Sequence, residues 1–584
     1  MTPFLSDFFP YIRPPELDGN VGTHRQVIIV GAGPVGLTMA LDWAKKGHDV
    51  LVLTAGDQLS EGSRAICFAK RTLEIFDRLG CSDPVVDKGV SWNLGKVFLQ
   101  DRMLYEFNLL PESGHQRPAF VNIQQYYVER FLLEALAKCA ATPGEADAAQ
   151  RPSIDLRWNN RVTTVTQRNG RVEVAVQSPD GAYVLSCDWL IACDGAGSPV
   201  RKTLGLKSEG QVFQDRFLIA DVKMRGASLA KFRTERWFWF DPPFHRNQSA
   251  LLHRQADDIW RLDFQLGWQA DPDLERQPER VNPRIRAMLG DDVDFTLEWV
   301  SVYTFQCRRM DSFVHGKVIF AGDSAHQVSP FGARGANSGI QDVDNLGWKL
   351  DLIVRGLAPL RLLDTYDTER IAAADENISN STRSTDFITP KSEASRTFRD
   401  ATLELAAKYP FARRLVNSGR LSVPAHYAHS TLSTDDVESW AAGTPGPGSP
   451  ALDAPVIAPV MRADHQDWLL PHLCETGFTV LVFVADGEIP DDLVDAVRFL
   501  RTLPIDVAAI AVTRDATQRD DDFTMLRDGG GAAFSRYAPD GDAIYLLRPD
   551  QHVAARRIGL SATWLGAALR RACLTDIPFD AGVC

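Results

Sequence analysis

The sequence has no long apolar run and no excess of positive charge. Its longest apolar stretches are interrupted by Gly, Asp or Lys before they reach the roughly 20 residues of a membrane-spanning helix. Lys and Arg number 63 against 76 Asp and Glu, a net charge of −13. Nucleic-acid binding requires basic stripes. We therefore expect neither a membrane span nor a nucleic-acid partner.

Cysteine is scarce and unpatterned, since the nine residues contain no C-x-x-C pair. This composition predicts no metal site and no disulfide framework, and favours reduced thiols in the cytoplasm. Cys67, Cys193 and Cys307 lie near the glycine-rich motifs described below, where we expect small packing residues. At 584 residues, the chain is long enough for two or three domains.

The first glycine-rich segment, VIIVGAGPVGLTMALDWAKKG, is typical of a strand, a tight turn and a helix. Gly31, Gly33 and Gly36 let the backbone approach a pyrophosphate, to which the helix N-terminus presents free N–H groups. An acidic residue that binds ribose usually ends the next strand, but that strand ends here in Thr54, with Asp57 close behind. This departure weakens the ribose assignment and leaves the pyrophosphate assignment intact.

Two later segments extend the pattern. VIFAGDSAHQVSPFGARGANSGIQDVDNLGWKL contains a predicted strand, 317–320, and a loop that enters a helix near Ser338. This helix N-terminus again directs N–H groups at an electron-rich ligand. LIACDGAGSPVR places Asp194 and Arg201 after a predicted strand, 189–192. The two long glycine-rich segments together predict one FAD site.

In order and spacing, GAGPVG, CDGAGSPVR and AGDSAHQVSPFGARGANSGIQD closely resemble the class A flavoprotein aromatic hydroxylases, the para-hydroxybenzoate and phenol hydroxylase family. The chain is most similar to the 3-(3-hydroxyphenyl)propionate hydroxylase and polyketide hydroxylase branch. The resemblance implies an α/β fold: a Rossmann-type FAD-binding domain, an inserted, mostly antiparallel substrate sheet, and a thioredoxin-like C-terminal domain. The expected segments are an N-terminal arm (1–24), the FAD-binding domain (25–200 and 308–395), the substrate sheet (201–307), a helical segment with linker (396–445) and the C-terminal domain (446–584).

The resemblance also implies the cofactor contacts. It places Arg64 at the flavin or its phosphates, Gln125 and Asp323 at the ribityl chain, and Pro330 beside the isoalloxazine ring. Asp194 belongs to a motif linked to both FAD and the nicotinamide cofactor. The candidate cofactor residues are Gly31, Ala32, Gly33, Pro34, Val35, Thr54, Arg64, Gln125, Val162, Asp194, Gly322, Asp323, Pro330, Gly335, Ala336 and Asn337.

Some of these candidates are expected to act through their backbone. Val162 lies where the family offers backbone atoms to the adenine, and the backbone of 335–337 lies where it contacts the pyrimidine edge of the flavin. Taken singly, Asp323 is also a plausible helix cap and Arg64 a plausible surface ion-pair partner. The joint occurrence of the motifs favours the cofactor roles.

Strand-like stretches after Arg201 predict the substrate sheet. Period-two alternation on SALLHRQ places Leu251, His253 and Gln255 on one face, so His253 is either a proton acceptor for a phenol or a structural sheet histidine. Six aromatic residues suit a flat apolar guest and equally suit ordinary packing: Trp237, Phe238, Trp239, Phe240, Phe244 and Trp260.

Three arginines, Arg236, Arg254 and Arg261, are candidates to hold a substrate carboxylate, although a solvated sheet face explains them equally well. Tyr303 is a further candidate near the domain junction. Our candidate catalytic residues are His253, Arg261 and Tyr303.

The resemblance implies a monooxygenase. In the family, NADH or NADPH reduces FAD, O2 adds to give a C4a-hydroperoxide, and the distal oxygen passes to a phenolic ring. The expected partners are a small phenolic substrate and O2. A homodimer is one expected assembly, because a C-terminal domain without C-x-x-C favours dimerisation or stabilisation over redox chemistry.

Two alternatives remain open. Trp237-Phe-Trp239-Phe-Asp241-Pro242 differs by one residue from the WxWxIP pattern of flavin-dependent halogenases. A non-catalytic FAD-binding redox sensor is the other alternative, supported only by the altered ribose position at Thr54.

Overall fold

The fold is mixed α/β and contains three large sheets of eight, eight and five strands. No helix in the described part of the chain has the length and apolar character that crossing a bilayer requires. The computed structural model describes residues 8–19, 24–141, 152–226, 235–416, 422–458, 467–486, 488–514 and 521–575.

The described part of the predicted N-terminal arm packs against the first sheet and its loops. Phe9 stacks on Trp158 with ring centroids 4.1 Å apart, and its N–H donates to the carbonyl of Asp57. Within the arm, a short 3-10 helix spans Pro15–Asp18. Residues 1–7 and 20–23 of the predicted arm lie outside the described residues.

The first sheet has a parallel core, as the strand–turn–helix motif predicts. Its strands are Val314–His315, Val318–Phe320, Gly181–Ala192, His24–Val30, Val50–Leu53 and Ile154–Arg157 in spatial order, with Arg171–Ser178 and Arg161–Arg168 added beside Gly181–Ala192. The strands that end at Val30, Ala192 and Phe320 are parallel neighbours. The loops that follow them therefore leave the sheet at one edge, where ligands bind in such folds.

The second sheet, here the wide sheet, is mostly antiparallel. Its strands are, in spatial order, His326–Gln327, Phe295–Arg309, Glu209–Met224, Ile259–Leu266, Ser249–Arg254, Arg236–Phe240, Leu94–Leu99 and Arg102–Asn108. The last two strands lie outside the range 201–307 that we predicted for this sheet. They join it through a parallel pairing between 94–99 and 236–240.

The C-terminal sheet combines parallel and antiparallel strands. Its strands are, in spatial order, Thr524–Arg527, Val507–Thr513, Phe478–Val484, Ala543–Leu547 and Val553–Ile558. The first three are parallel, and the last two pair antiparallel. Our sequence reading did not anticipate the strands 524–527 and 553–558. The thioredoxin-like assignment of this segment stays a prediction.

Two small sheets and a set of helices complete the described structure. The small sheets are Cys67–Ala69 with Phe120–Asn122 and Val90–Trp92, and Pro455–Val456 with Asp467–Trp468. The α-helices are Pro34–Lys45, Lys70–Leu79, Ser82–Lys88, Gln125–Ala141, Pro199–Thr203, Pro272–Glu275, Pro278–Leu289, Gly335–Val354, Leu362–Ile388, Glu393–Lys408, Pro410–Arg413, Asp491–Arg501, Ala532–Tyr537 and Leu565–Cys573. The helix predicted near Ser338 begins three residues earlier, at Gly335.

A buried polar network joins the C-terminal segment to the helices of the FAD-binding segment. Arg548 donates from Nη1 to Oε1 of Glu369 at 2.7 Å, and Lys349 donates to Oε2 of the same carboxylate at 2.8 Å. Trp348 donates from Nε1 to Asp550 at 3.1 Å. Because these side chains are buried, the network belongs to the protein interior and is sensitive to the loss of a single partner.

Candidate active site

In the first glycine turn, packing requires glycine at positions 31 and 36, whereas Gly33 has open space beside it. Gly31 has a φ of 107°, and a Cβ there would lie 2.4 Å from the carbonyl oxygen of Cys193. At Gly36 a Cβ would lie 1.9 Å from the carbonyl oxygen of Gly31. At Gly33 it would meet no atom within 4 Å. The backbone around Gly33 is therefore open to a ligand.

The helix Pro34–Lys45 begins at this open position. Gly33 is its N-cap, no side chain caps it, and no acidic residue lies in its first turn. Its first N–H groups are thus available to an anion, which the positive end of the helix dipole attracts. These features suit a pyrophosphate.

The second glycine-rich loop packs directly on the first turn. A Cβ at Gly339 would lie 2.6 Å from the side chain of Val35, and one at Gly322 would lie 3.0 Å from it. Asp323, which follows Gly322, is exposed at this edge of the sheet, as is Pro330. The two motifs, almost three hundred residues apart in the chain, therefore share one site.

Asp342 organises the second loop, and our sequence reading did not single it out. Its buried carboxylate accepts hydrogen bonds from the N–H of Gly322 at 2.8 Å, from His326 Nε2 at 2.7 Å and from Arg370 Nε at 2.6 Å. Arg370 also donates to the carbonyl of Ser338. The signal in the sequence is the aspartate of GIQD, within a motif that we quoted without giving this residue a role.

Asn337 uses its whole side chain to hold neighbouring backbone. Its Oδ1 accepts from the N–H of Ala69 at 2.8 Å and from the hydroxyl of Thr72 at 2.7 Å, and its Nδ2 donates to the carbonyl of Cys67 at 2.8 Å. The side chain is thus satisfied within the protein, so only the backbone of 335–337 is left for a cofactor.

The loop 60–65 is held by the amide of Gln125. Gln125 accepts from the N–H of Ala65 at 3.2 Å and donates to Ser60 and Glu129, both at 2.8 Å. Arg64 is exposed and has a φ of 42°, a conformation that few residues other than glycine adopt. Gln125 therefore positions the loop, and the exposed Arg64 side chain donates from Nε to the carbonyl of Glu61 at 3.1 Å.

Thr54 and Val162 are the residues expected at the adenosine. The backbone of Thr54 pairs with Arg157 and Asn160, and its hydroxyl has no partner among the described residues. Val162 is buried and pairs with Val176, on a strand whose other edge pairs with no strand among the described residues. The Thr54 hydroxyl and this strand edge are therefore free for an adenosine.

The Asp194 motif keeps one free oxygen and contacts the second loop. Asp194 accepts the N–H of Val200 at 3.0 Å, but its other oxygen is buried without a partner among the described residues. Arg201 donates to the carbonyls of Ser324 and Ala196, which links this motif to the second loop. The open Gly33, the uncapped helix, the exposed Asp323 and the unpartnered oxygen together fit FAD.

One face of the wide sheet, here the inner face, contacts this site. His253 lies opposite Arg261, Asp221 lies opposite Arg261 on the other side, and Phe217 lies opposite Tyr303. Directly opposed residues share a face, so the three candidate catalytic residues lie on the same side. Tyr303 is 38% exposed, whereas His253 and Arg261 are buried.

A charged cluster on the inner face touches the loop 60–65, which carries Arg64. His253 Nε2 lies 3.0 Å from Asp263 Oδ2, and Arg261 donates to Asp263 Oδ1 at 2.9 Å. Arg261 also donates to the carbonyl of Arg64 at 2.7 Å, and Asp221 accepts the N–H of Ser63 at 2.9 Å. The inner face therefore positions the loop that carries Arg64.

Burial and charge set the protonation states in this cluster. Burial, together with the charge of Arg236, lowers the pKa of His253 to about 3. Burial alone would raise the pKa of Asp263, but Arg261 and His253 hold it well below its ordinary value. Burial raises the pKa of Asp221 to about 6. His253 is therefore neutral and Asp263 ionised at neutral pH.

Several sequence candidates belong elsewhere. Arg261 is engaged by Asp263 and by the carbonyl of Arg64, so it is not free for a substrate carboxylate. Arg254 alternates with His253, pairs with Asp258 and lies over Trp260, on the outer face. Of the three arginines, only Arg236 remains available on the inner face.

The six aromatic candidates divide between the two faces. Phe238 and Phe240 pack in the inner cluster with Leu251. The others pack on the outer side, against the helix Pro278–Leu289 and its neighbours: Trp237, Trp239, Phe244 and Trp260. The two tryptophans of the halogenase-like pattern therefore lie away from the site. Strand register, which a single sequence does not reveal, decides this division.

Comparison with known proteins identifies the family. The family model described as the FAD binding domain matches residues 24–381, more than half of the chain. The chain belongs to this family. The resemblance to the FAD-dependent aromatic hydroxylases is thereby confirmed, as are the α/β fold class and FAD as the cofactor.

Similar proteins in this family are hydroxylases and monooxygenases. The chain is 27% identical to a 3-(3-hydroxy-phenyl)propionate/3-hydroxycinnamic acid hydroxylase of Mycolicibacterium smegmatis over 93% of this chain and 92% of that protein. It is 28% identical to 6-methylpretetramide 4-monooxygenase of Streptomyces rimosus over 95% of this chain and 94% of that protein. By family, the protein is an FAD-dependent oxidoreductase of the hydroxylase kind.

A solved structure shares the fold over nearly the whole chain. The ternary complex of aklavinone-11 hydroxylase with FAD and aklavinone has a TM-score of 0.72 and 22% sequence identity, and covers 94% of this chain and 99% of that chain. The architecture, including the C-terminal segment, is thus that of a known flavoprotein hydroxylase.

Proposed function

We propose that this flavoprotein is a monooxygenase that uses NADH or NADPH and O2 to hydroxylate a phenolic ring held between FAD and the inner face of the wide sheet. One observation carries the proposal. The buried His253–Asp263–Arg261 cluster of the sheet contacts the backbone of the loop that carries Arg64. A hydrogen-bond acceptor and the loop that carries Arg64 are thus neighbours.

The residues that would hold FAD follow from the open positions of the site. The pyrophosphate would lie at Gly31, Ala32, Gly33, Pro34 and Val35. The other contacts would come from Thr54, Arg64, Gln125, Val162, Asp194, Gly322, Asp323, Pro330, Gly335, Ala336 and Asn337. When bound and reduced, FAD supplies the activation of O2 for transfer to the ring. The side chains of the protein orient the ring, exclude water and accept a hydrogen bond from its hydroxyl.

His253 is the residue that would receive the phenol. Its Nε2 faces the Asp263 carboxylate, and its Nδ1 is buried without a partner among the described residues. A neutral imidazole whose Nε2–H is held by a carboxylate offers a lone pair at Nδ1. Accepting a hydrogen bond from the phenolic hydroxyl at Nδ1 raises the electron density of the ring, which favours transfer of an electrophilic oxygen.

Tyr303 and the inner aromatic residues would shape the rest of the pocket. Tyr303 lies opposite Phe217, which packs with Phe305 and Phe331. Aromatic rings in offset or edge-on contact suit a flat guest. The exposed fraction of Tyr303 places its hydroxyl within reach of a substrate or of solvent.

The experiment that tests the proposal measures O2 consumption by the purified FAD-loaded protein. NADH and NADPH are compared across a panel of phenols, and each product is analysed by mass spectrometry. We expect a suitable phenol to stimulate O2 uptake and to gain one oxygen atom. If every phenol fails to stimulate uptake although FAD is bound, the redox-sensor alternative replaces the hydroxylase. A bromide-dependent product would instead indicate a halogenase.

Assembly and location are proposals of a coarser kind. We propose a homodimer, because the helices Glu393–Lys408 and Pro410–Arg413 expose Phe398, Leu405 and Phe411 to solvent. Exposed apolar patches of this kind mark interaction surfaces. Sedimentation velocity would test the dimer, and a cytoplasmic location stays a prediction.

A further inference from the structure

The turn 548–552 of the C-terminal sheet is buried against the FAD-binding segment. It joins the strands Ala543–Leu547 and Val553–Ile558, and all five of its residues are buried. Connecting segments usually run over the protein surface, because buried backbone polar groups need partners. Gln551, within the turn, has a φ of 54°, which residues other than glycine rarely adopt. Contacts outside the turn therefore hold it in this conformation.

Arg71 supplies two of those contacts. It is 2% exposed; its Nη1 donates to Oε1 of Gln551 at 3.1 Å, and its Nη2 donates to the carbonyl of Asp550 at 2.7 Å. Nη2 also lies 3.2 Å from the Asp344 carboxylate, and Nη1 lies 3.5 Å from that of Glu74. Because these two carboxylates compensate its charge, the buried guanidinium is a fixed bridge to the turn.

The helix that carries Arg71, Lys70–Leu79, also holds the side chain of Asn337. The hydroxyl of Thr72 donates to Asn337 Oδ1 at 2.7 Å, and the N–H of Ala69, the residue before the helix, donates to the same oxygen at 2.8 Å. Arg71 and Thr72 are neighbours within one helical turn, whose backbone hydrogen bonds keep it rigid. A shift of the Arg71 backbone is therefore carried to Asn337.

Asn337 fixes the start of the helix Gly335–Val354. No side chain caps this helix, and its backbone at 335–337 is the part expected at the pyrimidine edge of the flavin. The Asn337 amide donates to the carbonyl of Cys67 at 2.8 Å and to that of Ala333 at 2.5 Å. Since the whole side chain is engaged, the direction of the adjacent backbone N–H groups depends on the groups that hold it.

We propose that the turn 548–552 positions the flavin through Arg71, Thr72 and Asn337; this rests on the proposed function. Each link is a hydrogen bond or a pair of adjacent residues, and only the last one borders the cofactor. Backbone donors that are already ordered bind a ligand more tightly, because ordering them is not part of the cost of binding. Arg71 is thus a positioning residue for FAD, and the C-terminal segment is part of the cofactor site.

The test measures FAD binding by the full-length protein. FAD is removed, the apoprotein is titrated with FAD while flavin fluorescence is followed, and visible circular dichroism reports the surroundings of the bound ring. We expect Arg71→Met to bind FAD about tenfold more weakly and to change the circular dichroism of the FAD that it binds. Arg71→Lys should recover part of the affinity, since an ammonium can donate to the turn but lacks the fork of the guanidinium.

Two further variants follow the path on either side of Arg71. Gln551→Gly removes the acceptor of Nη1 while favouring the observed φ, so the fold should be kept and FAD affinity should fall about threefold. Thr72→Val removes the hydroxyl that donates to Asn337. In the Thr72→Val background, Arg71→Met should weaken FAD binding less than it does in wild type, because both changes break one path.

Arg556→Met is the matched control. Arg556 is also a buried arginine of the C-terminal segment, but it pairs with Asp436 and donates to the carbonyl of Pro445, in the linker. Its loss should lower Tm without changing the Kd or the circular dichroism of FAD. Tm of each apoprotein shows how much stability each variant loses.

The outcomes separate this inference from the proposed function. The inference fails if Arg71→Met keeps the wild-type FAD affinity and circular dichroism, or if Arg556→Met weakens FAD binding equally. It also fails if the effects of Arg71→Met and Thr72→Val simply add. If Arg71→Met does not fold, Gln551→Gly decides, and an unchanged Kd in that variant overturns the inference. If the FAD effects appear but no phenol gains oxygen, flavin positioning stands and the monooxygenase proposal fails.

Discussion

The Nε2 atom of His253 lies 3.0 Å from Oδ2 of Asp263, in the interior of the wide sheet. Because the ionised carboxylate can only accept, this contact assigns the ring proton to Nε2 and leaves the lone pair at Nδ1. A structural histidine would have both nitrogens satisfied. Here one nitrogen is held and the other has no partner among the described residues, which is the arrangement that an acceptor of a substrate hydrogen bond needs.

Replacing His253 by Gln should lower kcat about 100-fold for a phenol that is protonated at neutral pH, because a positioned acceptor typically contributes that much or more. For a fluorinated phenol that is already ionised, the loss should largely vanish. Turnover of both phenols by wild type and variant, across pH, checks this. Equal losses for both phenols would show that His253 is merely structural.

The pH dependence of kcat should show no titration of His253 itself. Burial lowers its pKa to about 3, so the imidazole stays neutral throughout the range in which the enzyme is assayed. Any acid limb between about pH 5 and 7 should therefore belong to another group. Asp221, whose pKa burial raises to about 6, is the candidate in the cluster. An Asp221→Asn variant should lack that limb, and a retained limb would exclude Asp221.

The glycine turn predicts two opposite phenotypes. Gly33→Ala should fold with an almost unchanged Tm, because its Cβ meets nothing within 4 Å, yet it should retain FAD at least about tenfold less tightly. Gly31→Ala should fail to fold, because its Cβ would lie 2.4 Å from a carbonyl oxygen at a positive φ. Tm of the FAD-free protein and FAD titration measure both. Normal FAD affinity in Gly33→Ala would show that the pyrophosphate does not bind at this turn.

Asp323→Ala should purify largely without FAD while keeping its fold, since Asp323 is exposed and makes no side-chain hydrogen bond that supports the described structure. Asp101→Ala, at the exposed turn after the strand Leu94–Leu99, is the matched control and should keep its yellow colour. The ratio of flavin to protein absorbance gives the result. Full FAD content with normal turnover in Asp323→Ala would contradict the site assignment.

Glu369→Gln should lower the free energy of unfolding by about 3–5 kcal/mol, because it leaves the buried Arg548 and Lys349 without their shared carboxylate. Asp375→Asn, on the same helix, breaks an exposed pair with Arg309 and should cost no more than about 1 kcal/mol. Urea unfolding of both variants makes the comparison. Similar losses of unfolding free energy in the two variants would show that the buried network does not stabilise the fold more than the exposed pair does.

The same carboxylate predicts how stability depends on pH. Although burial opposes ionisation, Arg548 and Lys349 hold the pKa of Glu369 below its ordinary value of 4.5. A depressed pKa adds stability that is complete above 4.5 and is lost as the pH falls through the folded-state value. Wild type should therefore lose stability below about pH 4.5 more steeply than Glu369→Gln. Parallel curves of unfolding free energy against pH for wild type and Glu369→Gln would contradict the pairing of Glu369 with Arg548 and Lys349.

Local sequence patterns were sufficient where a residue acts through its own backbone or through its period along a strand. Gly36 is required by a contact with Gly31 in its own turn, and Gly31 adopts a positive φ that favours glycine. His253 shares the inner face with Leu251, as alternation predicts, because the strand is regular. Such features depend on local backbone conformation and on residues that are close in the sequence, so the sequence alone is enough to predict them.

The features that sequence reading missed depend on pairings between distant strands. Arg236 contacts Cys67, 169 positions away in the chain, and neither residue belongs to a motif that points to the other. The contact between Asp263 and His253 follows from the register of their two strands, which a single sequence does not reveal. Register also placed Trp237 and Trp239 on the outer face, which the sequence left open.

The wide sheet has a consequence for how the chain is made. Its strands come from residues 94–108, 209–266, 295–309 and 326–327, so the hairpin 94–108 has no neighbouring strand until residues 236–240 have been synthesised. During translation that hairpin leaves the ribosome with an unpaired edge, the state in which nascent chains aggregate. Expression of fragments that end before residue 240 should accordingly yield insoluble protein, and the cell is expected to shield this stretch with chaperones until its partner strand emerges.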